Sequence, residues 1–289
     1  MSQYSTLHAV VRMTARRGEF ISEFDYTQIF PNLGKTMKKF SKEKIKDMKI
    51  FYKQPWRQTG GKYLPYIRNN VHQYIDNIKL YGDFQSYKYW WEYKEDIKKM
   101  FVFSDKIVKK AQKQLARASR LLYRKVIRYK TDDISGRINS TEPTFDNSDI
   151  TFVAVHSRRT DFTWNGIHSE QYNSPKATYF TNAMKYYQKH YKNPLFIVAS
   201  DDIEWTQRYF QKYYFKMHFL KKQSAMEDLA TLVMCKHAVV SVGTFGWFAG
   251  FLAGGEVVYF KDQFKPNASW IPNFPSKDVY PPSWVAISN

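Results

Sequence analysis

Thr151-Phe152-Val153-Ala154-Val155-His156-Ser157-Arg158-Arg159-Thr160-Asp161 is the stretch on which the reading of this chain turns. Its first five residues form an apolar, largely β-branched run with the length of a buried strand. That run passes directly into His156, Arg158, Arg159 and Asp161. In open α/β sheets ligands sit beyond the carboxyl ends of strands, so a strand ending in a polar cluster marks a candidate site. Two adjacent guanidiniums suit an anion, because each offers a planar fork of donors that matches phosphate oxygens in pairs. Two surface arginines paired with nearby carboxylates would leave the same pattern.

Strands and helices alternate on the C-terminal side. Tyr179 to His190 is helical in composition, and Leu195 to Ala199 is an apolar strand that ends in Ser200-Asp201-Asp202. Ile203 to Tyr213 follows as a helix, Met217 to Leu220 as a strand, Asp228 to Cys235 as a helix and Val239 to Val242 as a strand. Gly243-Thr244-Phe245-Gly246 then turns into a helix from Trp247 to Leu252, Gly254-Gly255 ends it, and Glu256 to Phe260 is a further strand. This alternation predicts an α/β fold with a parallel, doubly wound sheet in the C-terminal half.

The turn at 243–246 is the second site signal. A strand, a glycine-containing turn and a helix start leave backbone N–H groups free to meet an anion. Glycines allow close approach of a diphosphate, and the Ser241 and Thr244 hydroxyls add donors. Asp228, at the start of its helix, suits the two N–H donors on a guanine edge, or else complements the helix dipole. His156 suits a nucleotide or phosphate contact, or a structural role. Asp161 suits orientation of Arg158, or proton transfer. Cys/His metal spacing, a Walker-type loop and a Gly-x-Ser-x-Gly elbow are absent, and Asp201-Asp202 is a slim metal signal. No metal is expected.

The first half is less regular. Gln3 to Thr14 reads as a helix, Glu19-Phe20-Ile21 as a short strand, and Lys35 to Lys53 as a lysine-rich surface helix with flanking coil. Trp56 to Lys62, with Gly60-Gly61, reads as loop. Residues 81–103 are dense in aromatics, which fits a packed interface, stacking of single-stranded bases or binding of sugars. Ser104 caps a long amphipathic helix with Asp105 in its first turn, and that helix runs to about Arg128. Residues 130–149 make the linker, so the expected domains are 1–149 and 150–289.

The 289 residues suffice for two domains with cores of their own, and 18% aromatic content marks a globular chain. No stretch approaches about 18 consecutive apolar residues and no signal peptide is evident, so the reading is a soluble chain. The net charge is +19, and residues 1–150 carry 30 Lys/Arg against 16 Asp/Glu. Such a balance attracts nucleic acid, anionic membrane or anionic substrate, or serves solubility alone. Cys235 has no partner and reads as a buried apolar residue. Asn139-Ser140-Thr141 and Asn267-Ala268-Ser269 are glycosylation sequons.

Val155-His156-Ser157-Arg158-Arg159-Thr160-Asp161 resembles the His-x-Arg-Arg-x-Asp motif of the α-1,2-fucosyltransferases, glycosyltransferase family 11. Asp228 to Leu232, Cys235-Lys236-His237, Ser241 to Trp247 and Leu252 to Gly255 are similar to that family's C-terminal block. Tyr81 to Tyr87 is similar to its central aromatic segment, and Gln3 to Leu7 to the helix after its first loop. The resemblance implies two Rossmann-like halves of a GT-B-like enzyme, with the N-terminal half on the acceptor side. It also implies inverting, metal-independent transfer of L-fucose from GDP-fucose to the 2-hydroxyl of a terminal galactose on a glycan. By position, His156, Arg158 and Arg159 would hold the donor diphosphate, Asp228 the guanine, and Ser241, Gly243, Thr244 and Phe245 would line the crevice. Arg158 and Asp161 are the catalytic candidates. The family implies a Golgi enzyme with a type II anchor, and the chain starts after the family's first strand and cleft loop. Alternatives are a non-catalytic nucleotide- or glycan-binding relic and a basic nucleic-acid-binding protein.

Overall fold

The computed structural model describes residues 1–15, 17–20, 26–39, 56–58, 60–70, 80–131, 150–163, 168–221, 223–269 and 271–289. The chain divides into two compact units, Met1–Ser104 with Pro266–Pro282, and Asp105–Lys265 with Ser283–Asn289. The expected boundary at 149/150 therefore shifts. The long helix Asp105–Thr131 belongs to the second unit because its apolar face packs on helix Ala225–Val233. Residues 266–282 return to the first.

The first unit opens with helix Ser2–Thr14, close to the expected span. Among the described residues, four short strands pair in parallel as β1 (Glu19–Phe20) with β2 (Lys38–Lys39) and β3 (Trp56–Gln58) with β4 (Leu80–Gly82). Trp56–Gln58 is thus strand, where the glycines nearby suggest loop. Helix Pro31–Thr36 covers only the first two residues of the lysine-rich stretch, Lys38–Lys39 are strand where helix was expected, and residues 40–53 lie outside the described residues, as do linker residues 132–149. The aromatic segment is core. Phe84, Tyr87, Tyr89 and Trp90 are buried, which supports the packing reading. Asp278 ties this unit together by accepting from the Tyr63 N–H at 3.0 Å and from Lys88 Nζ at 2.6 Å.

The second unit is built on six parallel strands: β5 (Thr151–Ser157), β6 (Pro194–Ser200), β7 (Met217–Phe219), β8 (His237–Val240), β9 (Val257–Phe260) and β10 (Val285–Ile287). Their order across the sheet is β10-β9-β8-β5-β6-β7. The fold is α/β, as expected. The central strands are nearly all apolar and buried, the mark of a parallel sheet covered on both faces. Helices Ala177–His190 and Ile203–Phe210 pack together on one side of the sheet. Helices Asp105–Thr131, Ala225–Val233 and Thr244–Ala253 pack together on the other. Tyr179 and Tyr187 donate hydroxyl hydrogen bonds to the Val240 carbonyl at 2.6 Å and the Ala238 carbonyl at 3.0 Å.

The sheet grows outward from β5 through β6 to β7, then crosses back and grows the other way through β8, β9 and β10. Successive crossovers therefore leave from opposite sides at β5 and β8. That reversal opens a crevice between the carboxyl ends of those two strands.

Candidate functional site: the crevice between β5 and β8

Two chain segments meet at that crevice. Residues 157–161 leave β5, and residues 241–246 leave β8. The Arg158 backbone N–H donates to Ser241 Oγ at 2.8 Å, and the Ser241 N–H donates to the His156 carbonyl at 3.2 Å. The two motifs singled out from sequence are therefore stitched together directly. Ser241 itself is buried.

Gly243 has φ +89°, a left-handed conformation that favours glycine, and it starts helix Thr244–Ala253 without a side-chain cap. The first-turn N–H groups thus have no side-chain acceptor, and Gly243 and Thr244 are exposed. The second glycine of the turn has a different reason. A Cβ on Gly246 would lie 2.5 Å from His156 Nδ1. The imidazole rests on the helix start, with the Phe245 ring 5.0 Å away between centroids. Burial pushes the His156 pKa down to about 4; Asp201 acts upward and Arg158 further down. Its Nδ1 is buried and has no hydrogen-bond partner among the described residues.

The two arginines have different environments. Arg158 donates from Nε to Asp161 Oδ1 and from Nη2 to Asp161 Oδ2, each at 2.8 Å, and its Nη1 lies 3.4 Å from Asp201 Oδ2. Its head stays partly exposed, and the Asp161 hydrogen bond raises its pKa further. Arg159 is nearly enclosed. Its guanidinium lies 3.2 Å over the Trp205 ring centre, Nε is 3.5 Å from Asp202 Oδ2, and Nη1 donates to Ser174 Oγ at 3.5 Å. Desolvation lowers its pKa, against the pull of Asp202 and Asp201. The adjacent arginines thus divide into one that faces solvent and one stacked into the wall.

For Asp161, desolvation acts upward, but the hydrogen bond and charge of Arg158 outweigh it and hold the carboxyl below its usual range. A carboxylate gripped by both oxygens is oriented as a clamp and disfavoured as a proton acceptor.

Asp201 is the organiser that sequence alone undervalues. It accepts from the Arg159 N–H at 2.8 Å, the Thr160 N–H at 3.0 Å and Thr160 Oγ1 at 2.5 Å. Asp202 caps helix Ile203–Phe210 by accepting from the Trp205 N–H at 3.1 Å. Both carboxylates are thus engaged, and no cluster of three or more metal-ligating side chains occurs among the described residues. The Ser157–Ser200 pairing of β5 and β6 is what brings Asp201 beneath the arginine loop.

Asp228 lies in the first turn of helix Ala225–Val233, which packs beside helix Thr244–Ala253 and β5. Burial pushes its pKa up to about 6, while Gln223, which donates to Oδ1 at 2.9 Å, pulls it down. The helix begins three residues earlier than expected. Ser224 and Glu227 form a capping box, a spacing that was legible in the sequence. Among the sequons, Asn267 is exposed, and Asn139 lies outside the described residues.

The crevice thus combines a partly exposed guanidinium with an uncapped helix start, in an arrangement suited to an anionic group. Residues 126–288 match the family model for Glycosyl transferase family 11, and the chain belongs to that family. By that membership it is a fucosyltransferase. It is 24% identical over 306 residues to "Galactoside alpha-(1,2)-fucosyltransferase 1" of Sus scrofa, spanning 100% of this chain and 72% of the relative. It is likewise 24% identical over 301 residues to "Galactoside 2-alpha-L-fucosyltransferase Sec1" of Mus musculus, spanning 100% and 70%. Among solved structures, POFUT1 in complex with GDP shares 12% identity over 87% of this chain and 89% of that one, with a TM-score of 0.42.

Proposed function

We propose that the chain transfers L-fucose from GDP-fucose, with inversion, to the 2-hydroxyl of a terminal galactose on a glycoprotein or glycolipid glycan. The observation that carries this reading is the hydrogen bond from the Arg158 backbone N–H to Ser241 Oγ, which ties the arginine loop after β5 to the segment that leads into an uncapped helix start at the switch point of the sheet. The two relatives named above, each called a galactoside fucosyltransferase, support the substrate class.

In this reading the diphosphate of the donor lies against the N–H groups of Gly243, Thr244 and Phe245, with Arg158 at its edge. His156 and Ser241 complete the floor. Asp228 accepts from the guanine edge. As the bond from fucose to the diphosphate breaks, negative charge grows on the leaving phosphate. Donors already fixed by Asp161, Asp201 and the fold stabilise that charge without reorganising. No metal is needed for the neutralisation. Arg159, stacked on Trp205, contributes charge from the wall and holds the loop, and Asp161 acts by orienting Arg158. A Golgi location follows from the family reading, and no helix among the described residues is long and apolar enough to cross a membrane.

The test is incubation of the chain with GDP-fucose and a β-galactoside, with product linkage read by NMR. Fucose α-linked to the galactose 2-hydroxyl supports the proposal. Nucleotide binding with no product would identify a non-catalytic relic.

A further inference from the structure

We infer that the exposed face of helix Asp105–Thr131 is a docking surface for a sulfated glycan chain. The helix is fixed by its other side, where Ala111, Leu115, Ala118 and Ser119 are buried. At 3.6 residues per turn, Lys106, Lys109, Lys110, Lys113, Arg117 and Arg120 fall within roughly 100° of one another around the axis. All six are exposed. They form a stripe about 21 Å long at 1.5 Å per residue, parallel to the helix axis. The choice of partner rests on the glycan-directed Golgi reading proposed above, because it must be a polyanion of the lumen.

What the stripe carries and what it lacks together select the partner. Compensating charge is scarce: the helix holds a single carboxylate, Asp105, in its first turn. Among the described residues only Lys110 of the six has an ion pair, with Glu227. Clusters of this kind attract polyanions, heparin-like chains among them. Protein interfaces are built on aromatic and apolar anchors. Here Leu121, 45% exposed at the border of the arc, is the one exposed large apolar side chain among the described side chains of the helix. The arc holds no aromatic ring on which a nucleobase could stack. Recognition on this face therefore falls to charge and charge-assisted hydrogen bonds. The lysines act as point charges, and the two arginines offer planar forks that suit sulfate oxygens as they suit phosphate oxygens. A linear chain with sulfates along its length complements a linear row of cations.

The experiment is fluorescence anisotropy of the whole chain with a labelled heparin oligosaccharide and with the same oligosaccharide desulfated. The wild type is expected to bind the sulfated form at least tenfold more tightly, and to release it at high salt. The triple variant Lys106→Glu, Lys113→Glu, Arg120→Glu is expected to lose at least tenfold in affinity while its circular dichroism and unfolding temperature stay near wild type. A control variant, Lys185→Glu, Lys189→Glu, Lys192→Glu, makes the same change of net charge at exposed lysines across the sheet. It is expected to bind within a few-fold of wild type. Should the first variant fail to fold, the double variant Lys106→Gln, Lys113→Gln is expected to show a several-fold loss. No binding to the sulfated form, equal binding to the desulfated one, or undiminished binding by a folded stripe variant overturns the inference. An equal loss in the control variant also overturns it, because binding would then follow net charge and not this face. So does tighter binding of RNA or polyglutamate at equal charge concentration. Neither donor nor acceptor is present, so failure here leaves the transferase reading standing, and failure of turnover leaves this result standing.

Discussion

Asp161 grips the Arg158 guanidinium through both carboxylate oxygens, Nε to Oδ1 and Nη2 to Oδ2 at 2.8 Å each. The fork of the arginine is therefore aimed before any ligand arrives. Replacing Asp161 with Asn removes the charge and one acceptor, leaving Asp201 as the carboxylate near Arg158. Loss of a charged hydrogen bond of about 1.5–3 kcal/mol predicts a fall in GDP affinity of roughly ten- to a hundredfold. Turnover falls with it, and the acid limb of the pH–rate profile stays in place. A mutant that binds GDP normally but has lost turnover by 10³ or more would instead make Asp161 the general base.

The contact between His156 and Gly246 predicts a specific intolerance. Gly246→Ala sets a methyl 2.5 Å from His156 Nδ1, so either the imidazole or the helix start must move. Overpacking of this kind costs about 1–3 kcal/mol. Chemical denaturation should show that loss, and calorimetry should show weaker GDP binding, because the shifted turn carries the first-turn N–H groups. Full stability and full affinity in the variant would mean that the turn is not rigidly held.

Asp228 predicts a trade between stability and recognition. Its folded pKa is about 6 against an ordinary value of 3.8, so the folded state prefers the protonated carboxyl. The contribution of this residue is then most favourable below about pH 4 and declines as the pH rises towards 6, beyond which the penalty is constant. Asp228→Asn removes that penalty. With the solvent exposure of the group discounting the shift, the variant gains on the order of 1 kcal/mol at pH 7.5, vanishing below pH 4. If the carboxylate holds guanine, the same variant loses GDP affinity, and wild-type affinity itself declines as the pH falls below 6. Thermal unfolding across pH, with and without GDP, checks both statements.

His156 predicts the opposite slope. It is neutral in the folded protein down to about pH 4, whereas the unfolded imidazole takes a proton below its ordinary 6.5. Stability from this residue is complete above 6.5 and is lost as the pH falls from there towards 4, by up to about 3 kcal/mol. The difference between wild type and His156→Gln should therefore shrink over that window and stay flat above it. A pH-independent difference would show that His156 is not buried in the neutral form.

The C-terminal sheet was legible because buried parallel strands write apolar runs of fixed length. Runs such as Thr151 to Val155 and Leu195 to Ala199 were recognisable without their neighbours, and the structure extends them to Ser157 and Ser200. β10 was missed because Val285-Ala286-Ile287 is three residues long and lies at the sheet edge, where little burial constrains the pattern. The first unit is less legible, since its strands among the described residues are two or three residues long and carry little periodicity. Arg158 and the Gly243 turn could be found because each is a local motif. The difference between Arg158 and Arg159 could not, because it depends on Asp201, Asp202 and Trp205, more than forty residues away in sequence and placed by the β5–β6 register.

The central claim is that the β5–β8 crevice holds a guanosine diphosphate through Arg158 and the helix start at Thr244. Its most direct test is thermal unfolding with GDP, GDP-fucose, GMP and ADP, run on the wild type, Arg158→Ala and Arg158→Lys. A ligand that binds the folded state alone adds about 2.7 kcal/mol at a hundredfold excess over its dissociation constant. The account predicts such a shift for GDP and GDP-fucose, a smaller one for GMP and ADP, and its loss in both variants, since lysine cannot supply the planar fork. An equal shift with every nucleotide, or one that survives Arg158→Ala in a folded protein, would contradict it.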